Sequence, residues 1–354
     1  MDLLVLPGDG IGPEIVSVAV AALNSLNRAH QLGLVLQQHD VGLATLETRG
    51  TTLPDEVARM ASEVDGVLLG PVSTEHYPPA AEGGINLSAW CRKTLDLYAN
   101  IRPSAVRAGV PSHVPEMDLV IVRENTEGFY ADRNMAVGSG EFMPSHDMAL
   151  AVGKLTREGC SRIARTAFEL ARRRRGHVTA VHKANVLHLY YGLFLEEVRS
   201  VAADFPEVTL ETVIVDAMAA LLVRRPETFD VVVTTNMFGD ILSDEASELS
   251  GGLGLGASLN AGEQHAVAQA AHGSAPDIAG QDRANPSAFL HSTAMLLDHL
   301  GARHGKPALN EAARRLAGAT DGLLAKAETR TADIGGNCGT QAFGEALVAV
   351  LESK

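Results

Sequence analysis

With 354 residues, the chain is long enough for two domains of ordinary size, and its 46% hydrophobic content suits a well-packed α/β protein. Its net charge of −14 argues against a nucleic-acid or anionic-membrane partner, because their phosphates would be repelled. No apolar run reaches the ~20 residues of a membrane-spanning helix, and the acidic N-terminus does not match a signal peptide. The three cysteines are widely spaced, so we expect reduced thiols and a cytoplasmic location.

Short β-rich segments alternate with helical patterns along the chain. Such alternation implies an α/β protein with a largely parallel sheet covered on both faces. Residues 131–156 break the rhythm and predict a projecting segment with a little strand, such as a lid or a dimerisation arm. A helix capped by Thr156 should follow, ending at about residue 175. The predicted strands span residues 3–6, 35–39, 66–69, 119–123, 177–182, 209–215 and 231–235, and the first helix spans about 14–29.

A glycine-rich loop, Gly8-Asp-Gly-Ile-Gly12, follows the first strand. It is not G-x-G-x-x-G, and no acidic residue ends the second strand, so it does not match a Rossmann fingerprint. A glycine loop at the start of a helix can still lie close to a cofactor. The segment His272-Gly-Ser-Ala-Pro-Asp277 is a second turn of this kind, which by itself predicts only a loop.

Three arginines, Arg92, Arg102 and Arg123, recur in the first half of the sequence. Arginine binds a carboxylate through two coplanar N–H donors. If the three arginines lie at one site, that site would suit a di- or tricarboxylic acid. Arg123 is the most informative, because it ends an apolar strand, and ligands of open α/β sheets bind at the carboxyl ends of strands.

Proton-handling groups follow other predicted strands. Lys183 comes directly after residues 177–182, and a lysine in a partly buried cleft lined by cations loses basicity and can transfer a proton near neutrality. Tyr130 offers a second such group. Asp216 follows the strand over 209–215 as Asp240 follows the strand over 231–235.

Asp240 and Asp244 lie four residues apart where a helical pattern begins. A helix puts both on one face, one turn apart. Two like charges repel, so a positive group must lie between them, and a divalent cation is the obvious candidate. The alternative is that Asp240 caps the helix and Asp244 is solvated.

Six segments together resemble the β-decarboxylating dehydrogenases, which include isocitrate, homoisocitrate, 3-isopropylmalate and tartrate/D-malate dehydrogenases. They occur in family order over nearly the whole chain. The segments are Leu6-Pro-Gly-Asp-Gly-Ile-Gly-Pro13, Asp96-Leu-Tyr-Ala-Asn-Ile-Arg-Pro103, Arg123-Glu-Asn-Thr-Glu-Gly128, His182-Lys-Ala-Asn185, Asn236-Met-Phe-Gly-Asp-Ile-Leu-Ser-Asp244 and His272-Gly-Ser-Ala-Pro-Asp277.

The resemblance implies an isopropylmalate-dehydrogenase-like two-domain α/β fold, with mostly parallel sheets flanked by helices, that is not a true Rossmann fold. A large cofactor-side domain would combine residues 1–98 with 252–354. A small domain would span 99–251, with a dimer arm at about 131–156. The resemblance also implies a homodimer with shared active sites, in which Lys183 and Asp216 are lent by the partner subunit.

The same resemblance implies a role for each matching residue. The expected reaction oxidises C2 by hydride transfer to the nicotinamide, releases the 3-carboxylate as CO₂ with help from a metal ion, and protonates the resulting enolate from Tyr130. The matched residues are the substrate-binding Arg92, Arg102 and Arg123, the catalytic Tyr130, Lys183 and Asp216, and the Mg²⁺ or Mn²⁺ ligands Asp216, Asp240 and Asp244.

Asp277 followed by Ile278 matches the NAD type of the family. A carboxylate here accepts hydrogen bonds from the ribose hydroxyls and repels a 2′-phosphate. Asn285 matches the residue that holds the adenine. The resemblance thus implies NAD, with the cofactor-binding set Ile11, Thr74, Asn185, His272, Gly273, Ser274, Ala275, Asp277, Ile278 and Asn285.

The resemblance also implies that the residues before Arg92 recognise the third arm of the substrate. 3-Isopropylmalate enzymes place leucines three and four residues before this arginine, whereas this chain has Ala89 and Ser88, a smaller and more polar lining. Isocitrate enzymes place a serine six and an asparagine four residues before it, and here the same pair is exchanged as Asn86 and Ser88. Against this, Asp333-Ile-Gly-Gly resembles 3-isopropylmalate enzymes.

The predicted function is therefore NAD- and Mg²⁺- or Mn²⁺-dependent oxidative decarboxylation of a (2R)-malate with a polar or carboxylated substituent at C3, or none. One alternative is the 3-isopropylmalate dehydrogenase of leucine biosynthesis. Another is a non-catalytic regulatory subunit, although such subunits usually lose members of the arginine–tyrosine–lysine–aspartate set, and all eight are present. Gln269 replaces a glutamate that the family places near the nicotinamide. This replacement implies either weaker binding of the cofactor or a change of substrate.

Overall fold

The computed structural model describes residues 1–130 and 135–353. The chain divides into two compact units, each assembled from segments that are distant in sequence. Unit 1 comprises Met1–Leu95, Arg107–Ser112 and Gly251–Lys354, and unit 2 comprises Asp96–Val106 and His113–Ser250. Over the described ranges, none of the helices combines the length and the apolar content required to cross a bilayer.

Unit 1 carries five strands and seven α-helices within the described residues. The strands are β1 (Asp2–Leu6), β2 (Val35–Gln38), β3 (Gly66–Leu69), β11 (Leu259–Ala261) and β12 (Ala266–Ala268), and the helices are α1 (Gly12–His30), α2 (Leu43–Arg49), α3 (Asp55–Glu63), α4 (Leu87–Thr94), α9 (Ser287–His304), α10 (Pro307–Leu324) and α11 (Thr340–Glu352). The strand order is β2-β1-β3-β12-β11. All neighbouring pairs are parallel except β11 and β12, which run antiparallel.

The core of unit 1 forms where β1 meets α1. Leu3 and Val5 of β1 belong to the same buried apolar cluster as Ile15 and Leu23 of α1, together with residues of α9, α10 and α11. The helix α1 starts with a proline in its first turn, where a missing N–H costs little, and ends at Gln31 in the left-handed conformation (φ 50°). The glycine loop joins the carboxyl end of β1 to the start of α1.

Unit 2 carries a five-stranded arrangement and a separate two-stranded hairpin within the described residues. The strands are β4 (Ala99–Ala105), β5 (Asp118–Glu124), β6 (Glu141–Ser145), β7 (Met148–Ala151), β8 (His177–His182), β9 (Thr209–Ile214) and β10 (Val231–Thr234), and the helices are α5 (Arg157–Arg172), α6 (Tyr190–Ala202), α7 (Val215–Arg224) and α8 (Asn236–Ser250). The order of the five strands is β4-β5-β10-β8-β9, and β6 and β7 form the hairpin. The pairs β5–β10, β10–β8 and β8–β9 are parallel, and β4 runs antiparallel to β5.

Both faces of the unit 2 sheet are covered. Val231 and Val233 of β10 pack into a cluster with α5 and α6, whereas Val232 packs on the other side with residues of α7 and α8. Successive strand residues point to opposite faces, so a continuous apolar run is what a strand buried on both faces requires.

The prediction of a largely parallel α/β sheet is confirmed, and all seven predicted strands are present with ends shifted by one residue at most. The short strands β11 and β12 and the antiparallel β4 were not predicted. Asp240 does not cap its helix, because α8 already begins at Asn236. Thr156 caps α5 as predicted, accepting a hydrogen bond from the Gly159 N–H, but the helix ends at Arg172 rather than near residue 175.

The predicted arm at 131–156 includes the hairpin of β6 and β7, whose residues are all exposed. Residues 131–134 of that prediction lie outside the described residues. The assignment of this segment as a dimer arm stays a prediction.

Candidate active site

The carboxyl ends of β5, β10, β8 and β9 share one edge of the unit 2 sheet, because these four strands are parallel neighbours. Arg123 lies at the end of β5, Lys183 follows β8, and Asp216 follows β9 in the first turn of α7. Asp240 and Asp244 lie on α8, which starts directly after β10. The fold therefore brings five of the predicted site residues to the same edge, as expected for ligand sites of α/β sheets.

Arg123 is the most deeply buried cation of this edge, with 1% of its side chain exposed. Its Nη1 donates to Oδ1 of Asp240, and its Nε and Nη2 both donate to Oδ1 of Asn236, at 3.0 and 2.7 Å. Gly239 makes this approach possible, since a Cβ there would lie 2.6 Å from Cβ and Cγ of Arg123. Asn236 was not predicted as a site residue, although it begins the quoted motif.

Arg102 reaches the same helix from β4. Its Nη1 donates to Oγ of Ser243 at 2.7 Å and to carboxylate oxygens of Asp240 and Asp244 at 3.3 and 3.4 Å. Its Nε donates to Oδ1 of Asn100 at 2.5 Å. Nη1 of Arg102 thus lies beside both aspartates. The sequence analysis expected a positive charge near this pair, and Arg102 provides one.

The two aspartates keep access to solvent. The Asp240 and Asp244 side chains are 35% and 53% exposed. Burial raises the pKa of the Asp244 carboxyl, Arg102 opposes that rise, and Asp240 adds to it. Two carboxylates one helical turn apart offer the hard oxygen donors that Mg²⁺ and Mn²⁺ prefer, so the residues present fit a divalent cation.

The hydroxyl of Tyr130 donates to Oδ2 of Asp240 at 2.5 Å. The Arg123 guanidinium carbon lies 5.6 Å from the centroid of the Tyr130 ring. Asp240 is therefore the group on which two predicted substrate-binding arginines and the predicted proton donor converge.

Lys183 and Asp216 form an ion pair with each other. The hydrogen bond from Lys183 lowers the pKa of the Asp216 carboxyl. Within residues 1–130 and 135–353, no group of three or more His, Cys, Asp or Glu side chains is close enough to hold a metal ion. Asp216 thus does not join Asp240 and Asp244 within a single chain.

The predicted specificity segment lies at the start of α4 in unit 1. Oδ1 of Asn86 accepts a hydrogen bond from the Ala89 N–H at 3.0 Å, so this side chain caps the helix, a role that the sequence analysis missed. Ser88 hydrogen-bonds to the Gln269 side chain instead. Arg92 follows Ser88 by four residues and shares its face of the helix.

The two glycine-rich turns of unit 1 are in contact. The Ile11 N–H donates to the Ser274 carbonyl at 2.8 Å, and a Cβ on Gly10 would lie 2.0 Å from the same oxygen. The Ser73 and Ser274 hydroxyls are 2.7 Å apart, which places Thr74 beside this contact. Three of the predicted cofactor residues, Ile11, Thr74 and Ser274, are thereby brought together.

Asp9 holds these turns in place. Its buried carboxylate accepts hydrogen bonds from the Leu43 N–H at 2.7 Å, the Ser73 N–H at 2.9 Å and the Tyr77 hydroxyl at 2.5 Å. Burial and the hydrogen bond to Asp9 raise the pKa of Tyr77. The sequence analysis noted Asp9 only as part of the glycine loop.

The other predicted cofactor residues lie in three places: in the turn that contains Ser274, elsewhere in unit 1, and in unit 2. Residues His272, Gly273, Ala275, Asp277 and Ile278 continue the turn that contains Ser274, and Ala275 has a positive φ of 40°. The Asn285 side chain is engaged within unit 1, donating to Asp333 at 2.9 Å and accepting from the Ser287 hydroxyl at 2.6 Å. Asn185 is exposed and belongs to unit 2.

Comparison with known proteins gives a consistent result. A sequence model described as "Isocitrate/isopropylmalate dehydrogenase" matches residues 2–347. The chain is 43% identical over 353 residues to an isocitrate/homoisocitrate dehydrogenase of Thermus thermophilus, covering 99% of this chain and 98% of the relative. It is 38% identical over 353 residues to a 3-isopropylmalate dehydrogenase of Methanothermobacter thermautotrophicus, covering 99% of each.

The crystal structure of isocitrate dehydrogenase from Methylococcus capsulatus superposes on the chain with a TM-score of 0.87, at 38% identity and 99% coverage of each chain. The family and the α/β fold predicted from the motifs are both confirmed. The chain belongs to the isocitrate/isopropylmalate dehydrogenase family of β-decarboxylating dehydrogenases.

Proposed function

We propose that this protein oxidatively decarboxylates a (2R)-malate whose C3 substituent is polar, carboxylated or absent, with NAD as the oxidant and Mg²⁺ or Mn²⁺ as the metal. The observation that carries the proposal is the convergence of Arg102, Arg123 and Tyr130 on Asp240. Cations that bind substrate carboxylates, a metal-ligating carboxylate and a proton donor are the groups that this reaction needs side by side.

Arg102 and Arg123 bind carboxylates of the substrate, together with Arg92. Both unit 2 arginines are almost fully buried, and each is held at Nε by an asparagine oxygen. The neutral asparagine oxygens fix the orientation of each guanidinium, while the charge of the arginines is offset in this structure by Asp240 and Asp244. A cation bound by those carboxylates would leave both oriented arginines to an anionic substrate.

Asp240 and Asp244 would hold the divalent cation, which when bound would supply stabilisation of negative charge on the substrate oxygen, while bound NAD would supply the hydride acceptor. Lys183 takes the proton of the 2-hydroxyl as C2 is oxidised. Tyr130 supplies the proton that C3 needs after CO₂ has left. A carboxylate at Asp277, which is exposed, favours NAD over NADP because it repels a 2′-phosphate.

The active form is a homodimer with shared sites. Asp216 lies apart from Asp240 and Asp244 within one chain, and a second subunit supplies Lys183 and Asp216 to complete each site. The exposed hairpin of β6 and β7 supports the same conclusion, because it presents Phe142, Met143 and Leu150 to solvent and an isolated hairpin is only marginally stable. Cys91, Cys160 and Cys338 are free thiols, in keeping with a cytoplasmic enzyme.

Two variants test the shared site. Lys183→Met should abolish turnover while the circular dichroism spectrum stays unchanged, and Lys306→Met, at an exposed lysine of unit 1, should be as active as the wild type. When inactive Lys183→Met and Tyr130→Phe proteins are mixed and allowed to exchange subunits, heterodimers regain one intact site, and about a quarter of the wild-type activity should return. If Lys183→Met retains turnover, the lysine has no such role. If mixing restores nothing, the site is not shared.

A substrate panel tests the reaction itself. The purified protein with NAD and Mn²⁺ is offered isocitrate, homoisocitrate, D-malate, the tartrates and 3-isopropylmalate, and kcat/KM is compared. We expect the highest values among the first four. A clear preference for 3-isopropylmalate would support the alternative that Asp333-Ile-Gly-Gly favours, and absence of turnover on all of them would support a regulatory subunit.

A further inference from the structure

His182 is the last residue of β8 and directly precedes Lys183. It pairs with Ile214 of β9 at the end of the ladder, and just beyond this pair Lys183 meets Asp216. Only 9% of His182 is exposed. Its Nδ1 accepts a hydrogen bond from the Ala184 N–H at 3.0 Å. The imidazole of His182 thus reaches past the end of the strand and closes a turn around Lys183.

This turn holds the backbone on both sides of Lys183. A side chain that accepts from the N–H two residues further on closes the kind of turn that Asn and Asp often form, and it restricts the residue in between. On the other side, the Lys183 carbonyl accepts from the Val186 and Leu187 N–H groups at 3.1 and 3.0 Å. Lys183 directs its ammonium group to Asp216 from this position. The orientation of the proposed proton acceptor therefore depends on a ring nitrogen of His182.

The contact with Ala184 defines which ring nitrogen of His182 carries the proton. A backbone N–H only donates, so Nδ1 must present its lone pair, and the proton of the neutral ring lies on Nε2. A second proton would have to bind Nδ1, which would then be a donor facing another donor. Protonation of His182 therefore breaks the hydrogen bond that closes the turn.

The surroundings of His182 favour its neutral form. Its side chain lies on the face of β8 that carries Val178 and Ala180, which pack in one cluster with residues of α5 and α6. Burial and the charge of Arg199 on α6 lower the pKa of His182. Further ionisable side chains on the elements around β8 form ion pairs with other groups or are neutral; these are Glu196 and Glu197 of α6, Arg157 and Cys160 of α5, Glu211 of β9 and Asp216 of α7. A neutral His182 is therefore the form that holds the Lys183 turn.

We propose that His182 is a positioning residue for Lys183, and that protonation of His182 releases the turn and stops proton transfer by Lys183. This inference rests on the proposed function, in which Lys183 takes the proton of the 2-hydroxyl. His182 acts through the backbone around Lys183 and needs no contact with substrate or cofactor for this role. The expected consequence is an acid limb in the pH profile of kcat/KM that follows the protonation of His182.

Two variants separate the hydrogen bond from the charge. In His182→Asn, Oδ1 is attached to Cγ as Nδ1 is in histidine, so it accepts from the Ala184 N–H but binds no proton in the assay range. This variant should stay within about threefold of the wild-type kcat/KM near pH 8 and should lack the acid limb. His182→Leu removes the acceptor, so kcat/KM should fall about tenfold near pH 8, the effect of leaving a backbone N–H unsatisfied. His265→Asn is the matched control, because His265 is also partly buried beside an arginine and has a lowered pKa, but lies in unit 1.

A merely structural histidine would not set the pH profile, so an acid limb that persists unchanged in His182→Asn overturns the inference. So does loss of the limb in His265→Asn, or a His182→Leu protein as active as the wild type. If His182→Leu does not fold, the profile of His182→Asn decides.

NMR spectra of the ¹⁵N-labelled protein give a readout without turnover. The His182 ring signals, identified by their loss in His182→Asn, should show a neutral ring protonated at Nε2. Hydrogen-exchange protection of the Ala184 amide should decrease as that ring gains its second proton, and should stay constant in His182→Asn. If no substrate is turned over, the proposed function fails, whereas these spectra still decide whether His182 holds the turn. A neutral ring protonated at Nδ1, or protection that ignores the protonation of His182, overturns that role.

Discussion

Replacing Asn236 with alanine should strongly lower kcat/KM, although Asn236 is expected to contact neither substrate nor cofactor. Its Oδ1 accepts from Nε and Nη2 of Arg123 at 3.0 and 2.7 Å, and its Nδ2 donates to the Glu127 carbonyl at 3.0 Å. Asn236 is fully buried, so no water replaces these contacts without rearrangement. The amide orientation is determined, because only the nitrogen can serve the Glu127 carbonyl and only the oxygen can serve the arginine.

The expected size of the effect follows from these contacts. A hydrogen bond from a charged donor contributes roughly 1.5 kcal/mol or more, so losing both weakens the hold on Arg123 by about 3 kcal/mol. Since each 1.4 kcal/mol is a factor of ten, kcat/KM should fall by about 100-fold when a misplaced Arg123 binds the substrate poorly.

Steady-state kinetics of Asn236→Ala with the best substrate of the panel measure this effect, and circular dichroism confirms that the variant is folded. Asn310→Ala is the matched control, since Asn310 also uses its amide nitrogen, in hydrogen bonds to Asp298 at 2.9 and 2.7 Å, but on the surface of unit 1. A folded Asn236→Ala protein with a loss of less than threefold in kcat/KM would refute the reasoning, because Arg123 would then need no support from the amide.

Two further predictions concern unit 1. Burial and the charge of Arg107 lower the pKa of His291, so the unfolded state binds this proton more readily, and the free energy of unfolding should decrease as the pH falls from about 7.5 to 5.5. His291→Gln should reduce that dependence in urea titrations at the two pH values, and an unchanged dependence would assign it to other groups, such as His265, whose pKa is also lowered by burial. Asp9→Asn replaces an acceptor of Tyr77 and two backbone N–H groups, so KM for NAD should rise about tenfold with little change in kcat. An unchanged KM for NAD would show that the contacts of Asp9 do not support cofactor binding.

The strands that sequence patterns predicted are those with continuous or β-branched apolar runs. β10 consists of Val231–Thr234 and is buried on both faces, so composition alone indicates it. β4 alternates polar and apolar residues, but Pro103 within the run argues against a strand. Its polar side chains, Asn100, Arg102 and Ser104, are also buried rather than solvated, so the strand lacks the exposed polar face that alternation implies.

The identities of the site residues could be predicted, but their pairings could not. Motif position assigned Arg102 and Arg123 to the substrate and Asp240 to the metal, yet all three are in contact before any ligand is considered. Arg102 and Asp240 are 138 residues apart, and no local rule links positions at that separation. The cap formed by Asn86 was missed for the opposite reason, because its resemblance to a substrate-binding position hid an ordinary helix signal.

The contacts of α8 show what the spacing of its motif achieves. Within three turns, one polar stripe serves two arginines that arrive from different strands. Each position of the stripe has its own physical task, and a one-residue insertion would rotate the following positions by about 100° and separate the arginines from their acceptors. Asn236 orients Arg123 through its amide oxygen, and Gly239 leaves room for the aliphatic part of that arginine. Asp240 accepts hydrogen bonds from both arginines and from Tyr130. Ser243 and Asp244 accept hydrogen bonds from Arg102. One face of α8 therefore provides hydrogen-bond acceptors for two buried arginines at once. The spacing of the acidic residues in the sequence follows from the positions of those two arginines.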